Sequence, residues 1–157
     1  MHKQLFTSLF GGLLLVSCGK GVLYEQNARI EDDQWKSSKP AAFEVIVEDT
    51  VQGYDFFINL RNTGDYRFSN MYLFIQTTFP DGKTIRDTVE CIMASPEGEW
   101  LGSGVGDLHE QSILFKRAVN FPSKGKYRFE LTQAMRQDPL PGIADVGLRI
   151  EETDFSQ

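Results

Sequence analysis

From Ala42 onward the apolar residues recur at every second position, and a sustained period of two is the pattern of half-buried β-strands. Phe43, Val45 and Val47 alternate with Glu44 and Glu48, and Tyr54, Phe56, Ile58 and Leu60 alternate with Asp55, Asn59 and Arg61. Met71, Leu73 and Ile75 share one face of the next stretch; Ile85, Val89 and Cys91 share one face of residues 83–91. Residues 112–120 are apolar but less regular. Tyr127, Phe129 and Leu131 alternate with Lys126, Arg128 and Glu130, and Val146, Leu148 and Ile150 alternate with Asp145, Arg149 and Glu151. Seven strands, each with one polar face, predict an all-β, antiparallel, immunoglobulin-like β-sandwich over residues 42–157. The turns agree: Gly53 precedes the second strand, Pro80-Asp81-Gly82-Lys83 joins the third to the fourth, and Pro122-Ser123-Lys124-Gly125 opens the sixth. Tyr127, two residues after that glycine, is placed to form a tyrosine corner. The 157 residues carry 12 Phe, 5 Tyr and 2 Trp, enough rings to fill a core without disulfides.

The N-terminus follows a different rule. Met1-His2-Lys3-Gln4 is mildly basic, and Leu5 to Val16 is apolar except for Thr7 and Ser8. A run of about 12 residues is short of the about 20 that cross a bilayer as a helix, but it suits a secretory signal peptide. It ends in Leu15-Val16-Ser17-Cys18, which resembles a bacterial lipobox. The resemblance implies cleavage before Cys18 and its acylation, with Cys18 as the link to the membrane. An ordinary secreted protein with an incidental Cys18 is the alternative. The chain is thereby divided into a signal peptide (1–17), a lipidated cysteine with a polar tether (18–41), and the sandwich (42–157). Tyr24, Ile30 and Trp35 offer points at which part of the tether can pack on the domain, and packing is the expected fate of Trp35. Cleavage removes Lys3 and no acid, so the precursor's charge of −6 becomes −7. Two or more acyl chains give stable anchoring.

The mature chain is poor in catalytic groups. His109 is its one histidine, and Cys91 is its one cysteine besides the lipidated position. A nucleophilic triad or a Cys–His dyad would have to use these. Asp107, His109 and Glu110 are near one another in sequence but read as a solvated loop end rather than a zinc site. Gly102-Ser103-Gly104-Val105-Gly106-Asp107 lacks both the Gly-Lys-Ser/Thr ending of a phosphate loop and the spacing of a dinucleotide fingerprint. No catalytic residue, metal site or cofactor is expected. The acidic balance argues against nucleic acid as a partner.

Two features suggest contact with other molecules. The segment from Ile92 to Gln111 is long for a connection in a compact domain, and such connections are usually functional or disordered. It contains Gly98, Gly102, Gly104 and Gly106 around Trp100 and Leu101. The segment reads either as a partner-contact loop or as a plug in which Trp100 caps the core, and the plug is preferred for Trp100 itself. Phe57, Tyr72 and Phe74 lie on the polar parity of their strands. They form either a partner surface or ground covered by the tether or the long loop. The candidate partner-binding residues are therefore Trp100, Leu101, Gly102, Gly104, Gly106, Asp107, Phe57, Tyr72 and Phe74.

Taken in order, several phrases resemble the gliding-motility lipoprotein GldH family of the Bacteroidetes. They are Leu60-Arg61-Asn62, Asp65-Tyr66, Phe68-Ser69-Asn70, Phe79-Pro80 with Gly82, and Asp87-Thr88-x-Glu90. The most specific is Pro96-x-Gly98-x-Trp100-Leu101-Gly102-x-Gly104-x-Gly106-Asp107. Phe121-Pro122, Gly125-x-Tyr127, Gln133-Ala134-Met135-Arg136 and Gly142-Ile143-x-Asp145-Val146-Gly147 follow. The resemblance implies an envelope lipoprotein needed for gliding, working with other gliding proteins, some shared with type IX secretion. It supplies no catalytic residues. Gly19 follows Cys18 where an inner-membrane retention signal would have Asp, and Gly19-Lys20-Gly21 lacks the acidic cluster of surface-export signals. The expected location is the outer membrane, facing the periplasm. The expected role is a non-catalytic assembly component; the alternative is a periplasmic carbohydrate- or peptide-binding module that stacks ligands on Tyr72, Phe74 or Trp100.

Overall fold

In the computed structural model, residues 21–154 are described; the signal peptide and Cys18 lie outside the described residues. Each of the seven alternating stretches forms a strand. They are β3 (Ala41–Val47), β4 (Tyr54–Thr63), β5 (Asn70–Thr78), β6 (Thr84–Ile92), β8 (Leu108–Val119), β9 (Gly125–Gln133) and β11 (Ile143–Glu152). Four more were not evident from periodicity: β1 (Val22–Arg29), β2 (Gln34–Trp35), β7 (Ser103–Val105) and β10 (Leu140–Pro141). A five-stranded sheet runs β1-β11-β4-β8-β7, a four-stranded sheet runs β3-β9-β5-β6, and β2 pairs with β10 in a two-stranded ribbon. Every pairing is antiparallel.

The inner faces of the two large sheets make one core. Phe56, Ile58 and Leu60 of β4 and Val146, Leu148 and Ile150 of β11 come from one sheet; Phe43, Val45, Leu73, Ile75, Phe129 and Leu131 come from the other. Rings join across the gap, with Phe56 and Phe129 centroids 6.0 Å apart and Tyr24 edge-on to Phe43 at 6.4 Å. The tyrosine corner is present: the Tyr127 hydroxyl donates to the Ser123 carbonyl at 2.8 Å while its ring packs on Phe121 at 4.8 Å.

The stretch read as a tether is a correction to the sequence reading. From Val22 it belongs to the domain, because β1 pairs with β11 from Val22↔Glu151 to Arg29↔Asp145. Its signal is hidden because the inner face of this edge strand includes Gln26, which breaks the alternation and is satisfied by the Tyr24 hydroxyl at 2.6 Å. Trp35 is fully buried as expected, and its indole donates to the Lys39 carbonyl at 3.1 Å.

Along its central strands β4 and β11, the outer face of the five-stranded sheet is polar yet largely buried. Asp145 receives the Arg61 Nε at 2.6 Å, with Arg29 on its other side. Asn59 donates to Asn27 at 3.3 Å and accepts from Ser112 at 2.8 Å. The Asn59–Asn27 bond crosses β11 at Gly147, where a Cβ would sit 1.8 Å from the Asn27 side-chain oxygen. Asp55 accepts from the Ala118 amide and the Thr153 hydroxyl, both at 2.8 Å, and so holds the left-handed turn of Ala118 (φ 52°) at a β8 irregularity.

On the side where β6 and β8 are the sheet margins, Asp87 of β6 meets Lys116 of β8 at 2.6 Å. A charge at the mouth of the core is one way an edge strand is protected from pairing with another chain. Replacing Tyr127 with Phe should remove the corner bond at a cost of about 1 kcal/mol, or about 4 °C in melting temperature. Thermal unfolding followed by circular dichroism checks this, and an unchanged Tm would show that the corner does not stabilise the sandwich.

Candidate functional site

The segment between β6 and β8 is a built structure. The amides of Met93 and Ala94 donate to the Ser69 carbonyl at 2.8 and 3.0 Å, fixing the exit from β6. Ala94 then bridges Trp100. Between them the Ser95 amide donates to Glu99, Gly98 donates back to Ser95, and the Ser95 hydroxyl accepts from Glu97 and Glu99. Gly98 closes this turn at φ +88°, a left-handed conformation in which a side chain is strained. β7 returns along β8, with Val105↔Leu108 flanking a turn in which Gly106 has φ +66°. Gly102 and Gly104 are needed for close approach: a Cβ at Gly104 would stand 1.8 Å from the Leu108 carbonyl oxygen, and one at Gly102 2.5 Å from that of Glu110.

Side chains lock the segment onto the sandwich. Trp100 is half-buried between Tyr66, centroids 6.3 Å apart, and His109 at 5.6 Å. Tyr66 is buried, its hydroxyl donates to the Asn70 carbonyl at 2.7 Å, and burial raises its pKa. The Asp107 carboxylate accepts from the Gly64 amide at 3.1 Å and ties the β7–β8 turn to the β4–β5 connection. Trp100 therefore packs as a cap at this end of the core. Outward the segment presents Leu101, 54% exposed, and Val105, 91% exposed, with Leu108 beside them, among the exposed acids Glu97, Glu99 and Glu110. Arg61, Ser103, Gly104, Val105, Leu108 and Glu110 line a groove of about 410 Å³ along this hairpin.

The three strand aromatics do not converge. Phe57 is half-buried on the outer face of the five-stranded sheet, in register with Arg149 and Leu114. Tyr72 and Phe74 are on the outer face of the other sheet. Phe74 lies beneath the Arg86 guanidinium, 3.8 Å from its ring centre. Tyr72 is exposed, and Glu90 beside its phenol raises the phenol pKa. Tyr72 forms an apolar groove of about 500 Å³ with Phe68, Ala134, Met135, Arg136 and Gln137. Phe68 also packs on Tyr66 at 5.7 Å, so this groove and the Trp100 cap share one wall. Phe68, Met135, Val105 and Leu108 were not among the contact residues expected from sequence; the first two adjoin Tyr72 only after folding, and the last two sit in a segment without readable periodicity.

His109 is engaged with Trp100, and Cys91 is buried under β5, with its thiol pKa pushed up to about 12, first by burial and then by Glu90. Among the described residues no group of three His, Cys, Asp or Glu is placed to hold a metal ion, and no helix is long and apolar enough to cross a membrane. A thiol titrating near 12 is protonated at pH 8, and the thiolate is the reactive form. The mature protein should therefore resist a chromogenic disulfide reagent at pH 8 when folded and react at one thiol per chain in denaturant. Rapid reaction of the folded protein would show Cys91 to be accessible.

The GldH lipoprotein family model matches residues 22–150, from the first strand nearly to the end of the last. A protein of Christiangramia forsetii named gliding motility lipoprotein GldH homolog is 41% identical over 158 aligned positions, covering 96% of each chain. The gliding motility lipoprotein GldH of Flavobacterium johnsoniae is 35% identical over 153 positions, covering 93% of this chain and 94% of its own. No solved structure matches significantly. The matched span takes in both large sheets and the whole β6–β8 segment, and on this similarity the chain belongs to the GldH lipoprotein family.

Proposed function

We propose that the protein is a lipid-anchored, non-catalytic component of a gliding-motility apparatus, attached through Cys18 and acting by contact with other envelope proteins of gliding and of type IX secretion. The reading rests on the relatives named for gliding motility together with one structural observation. The β6–β8 segment spends glycines, a capping tryptophan and an aspartate on a rigid backbone, and then presents Leu101 and Val105 to solvent. A preorganised apolar tip of this kind loses little entropy on docking. The outer-membrane, periplasm-facing location follows from the residues after Cys18, and protease digestion of the domain on intact cells would overturn it.

A stacking module for sugars is less well supported. Trp100 is engaged by Tyr66 and His109, and Phe74 by Arg86, which leaves Tyr72 as the exposed ring of the three. Replacing Leu101 and Val105 together with Asp should leave the Tm within about 1 °C, since exposed positions contribute little to stability. The same double variant should fail to restore spreading to a gliding relative that lacks its own family member. Full restoration by a stably expressed double variant would refute the role of the tip.

A further inference from the structure

The position of β1 determines how this domain meets the membrane. Only Gly19 and Lys20 separate Cys18 from Gly21, the first described residue. Three Cα–Cα steps span at most about 11 Å. Gly21 is already held at the end of the five-stranded sheet, where its carbonyl accepts from the Glu152 amide at 2.8 Å. Next to it, Thr153 donates to the Gly53 carbonyl at 2.8 Å, and Asn120 donates to the carbonyls of Val51 and Gln52 at 2.7 and 3.0 Å. One end of the sandwich thus gathers Gly21, the end of β11, and the loops at 48–53 and 120–124. At the tip of the first loop Val51 is 87% exposed, and the Asp49 carboxylate fixes the turn by accepting from the Val51 and Gln52 amides.

We infer that the protein stands end-on against a lipid bilayer, with the Val51 loop at the headgroups and the glycine-rich β6–β8 segment at the far end. This deepens the proposed function and rests on acylation of Cys18. The strand directions carry it: β1 leaves the anchored end at Val22 and reaches the other end at Arg29, β4 spans from Tyr54 to Thr63, and Thr63 pairs with Leu108 at the β7–β8 turn. Ten residues of β4 cover about 33 Å. Leu101 and Val105 are therefore presented about 30 Å from the anchored end rather than at the bilayer. Lying on β1 would bring Glu25 and the Glu31-Asp32-Asp33 turn to the bilayer, but Asp33 is paired with Arg29 at 2.8 Å and Glu31 with Lys39 at 2.7 Å, so the strand direction and the short connection, not charge, favour the end-on arrangement. The near-end loops carry both signs, with Lys83 and Lys124 beside Asp49 and Asp81, so the acyl chains supply the affinity and the short connection supplies the orientation.

The test uses the full acylated chain in vesicles of phosphatidylethanolamine and phosphatidylglycerol with nitroxide-labelled headgroups. Val51→Cys or Val105→Cys is labelled with a thiol-reactive fluorophore, Cys91 being buried. Quenching at position 51 should exceed that at position 105 several-fold. Inserting a flexible glycine-serine spacer of about 20 residues before Gly21 should bring the two to the same low level. Equal quenching at both positions without the spacer, or stronger quenching at 105, overturns the orientation while leaving the anchor intact. Mass spectrometry of the purified protein separates the two failures: an unmodified Cys18 overturns the anchor and the orientation together.

Discussion

Pairing of β11 with both β1 and β4 is the interaction on which the rest depends. It joins residues near the two ends of the chain, Val22 with Glu151 and Arg29 with Asp145, and places β11 between two partners along nearly its whole length. Its inner face supplies Val146, Leu148 and Ile150 to the core. Its outer face has Asp145, Gly147 and Glu151, which are buried although they point away from the core. Buried polar groups of this kind are tolerated only when partnered. Arg61 and Arg29 serve Asp145, Arg149 serves Glu151 at 2.9 Å, and the bare backbone of Gly147 lets Asn27 and Asn59 meet above it.

The same pairing connects sheet architecture to function. Because β1 is locked to β11, the end of the domain nearest Cys18 is set by the ladder and not by a loose leader. The opposite end carries the connections at 63–70, 93–107 and 134–142, and these rest on one another through Tyr66, which touches both Phe68 and Trp100. Tyr66 and Trp100 are interior supports there, while Leu101 and Val105 stand outside them.

Much of this was legible in the residue order. Alternation located the long strands because most have a clean apolar face, β8 being the less regular one, and proline with glycine marked the turn at residues 80–83. Tyr127 was legible because a tyrosine after a Pro-x-x-Gly turn has a local hydrogen-bond partner in Ser123. β1 escaped because an edge strand tolerates Gln26 on its inner face, and β7 because Gly104 sits in its centre. The candidate residues fared unevenly. Gly102 and Gly104 hold close contacts, Gly106 makes a left-handed turn, and Asp107 pins the segment, all local tasks. Phe57 proved to be on the other sheet from Tyr72 and Phe74, since strand parity tells inside from outside but not which sheet a strand joins.

The sequence by itself determined the all-β class, the positions of the long strands, the turn residues and the family. It did so because side-chain alternation and glycine or proline backbone preferences are properties of neighbouring residues. Only the tertiary structure decided that residues 22–29 are a strand rather than a tether, that Trp100 is a cap with Leu101 and Val105 outside it, and that Gly21 lies at the end of the sandwich opposite the β7–β8 turn. Those outcomes depend on contacts between residues far apart in the chain, such as Val22 with Glu151 and Gly64 with Asp107. Local periodicity contains no term for which distant segment will be the partner.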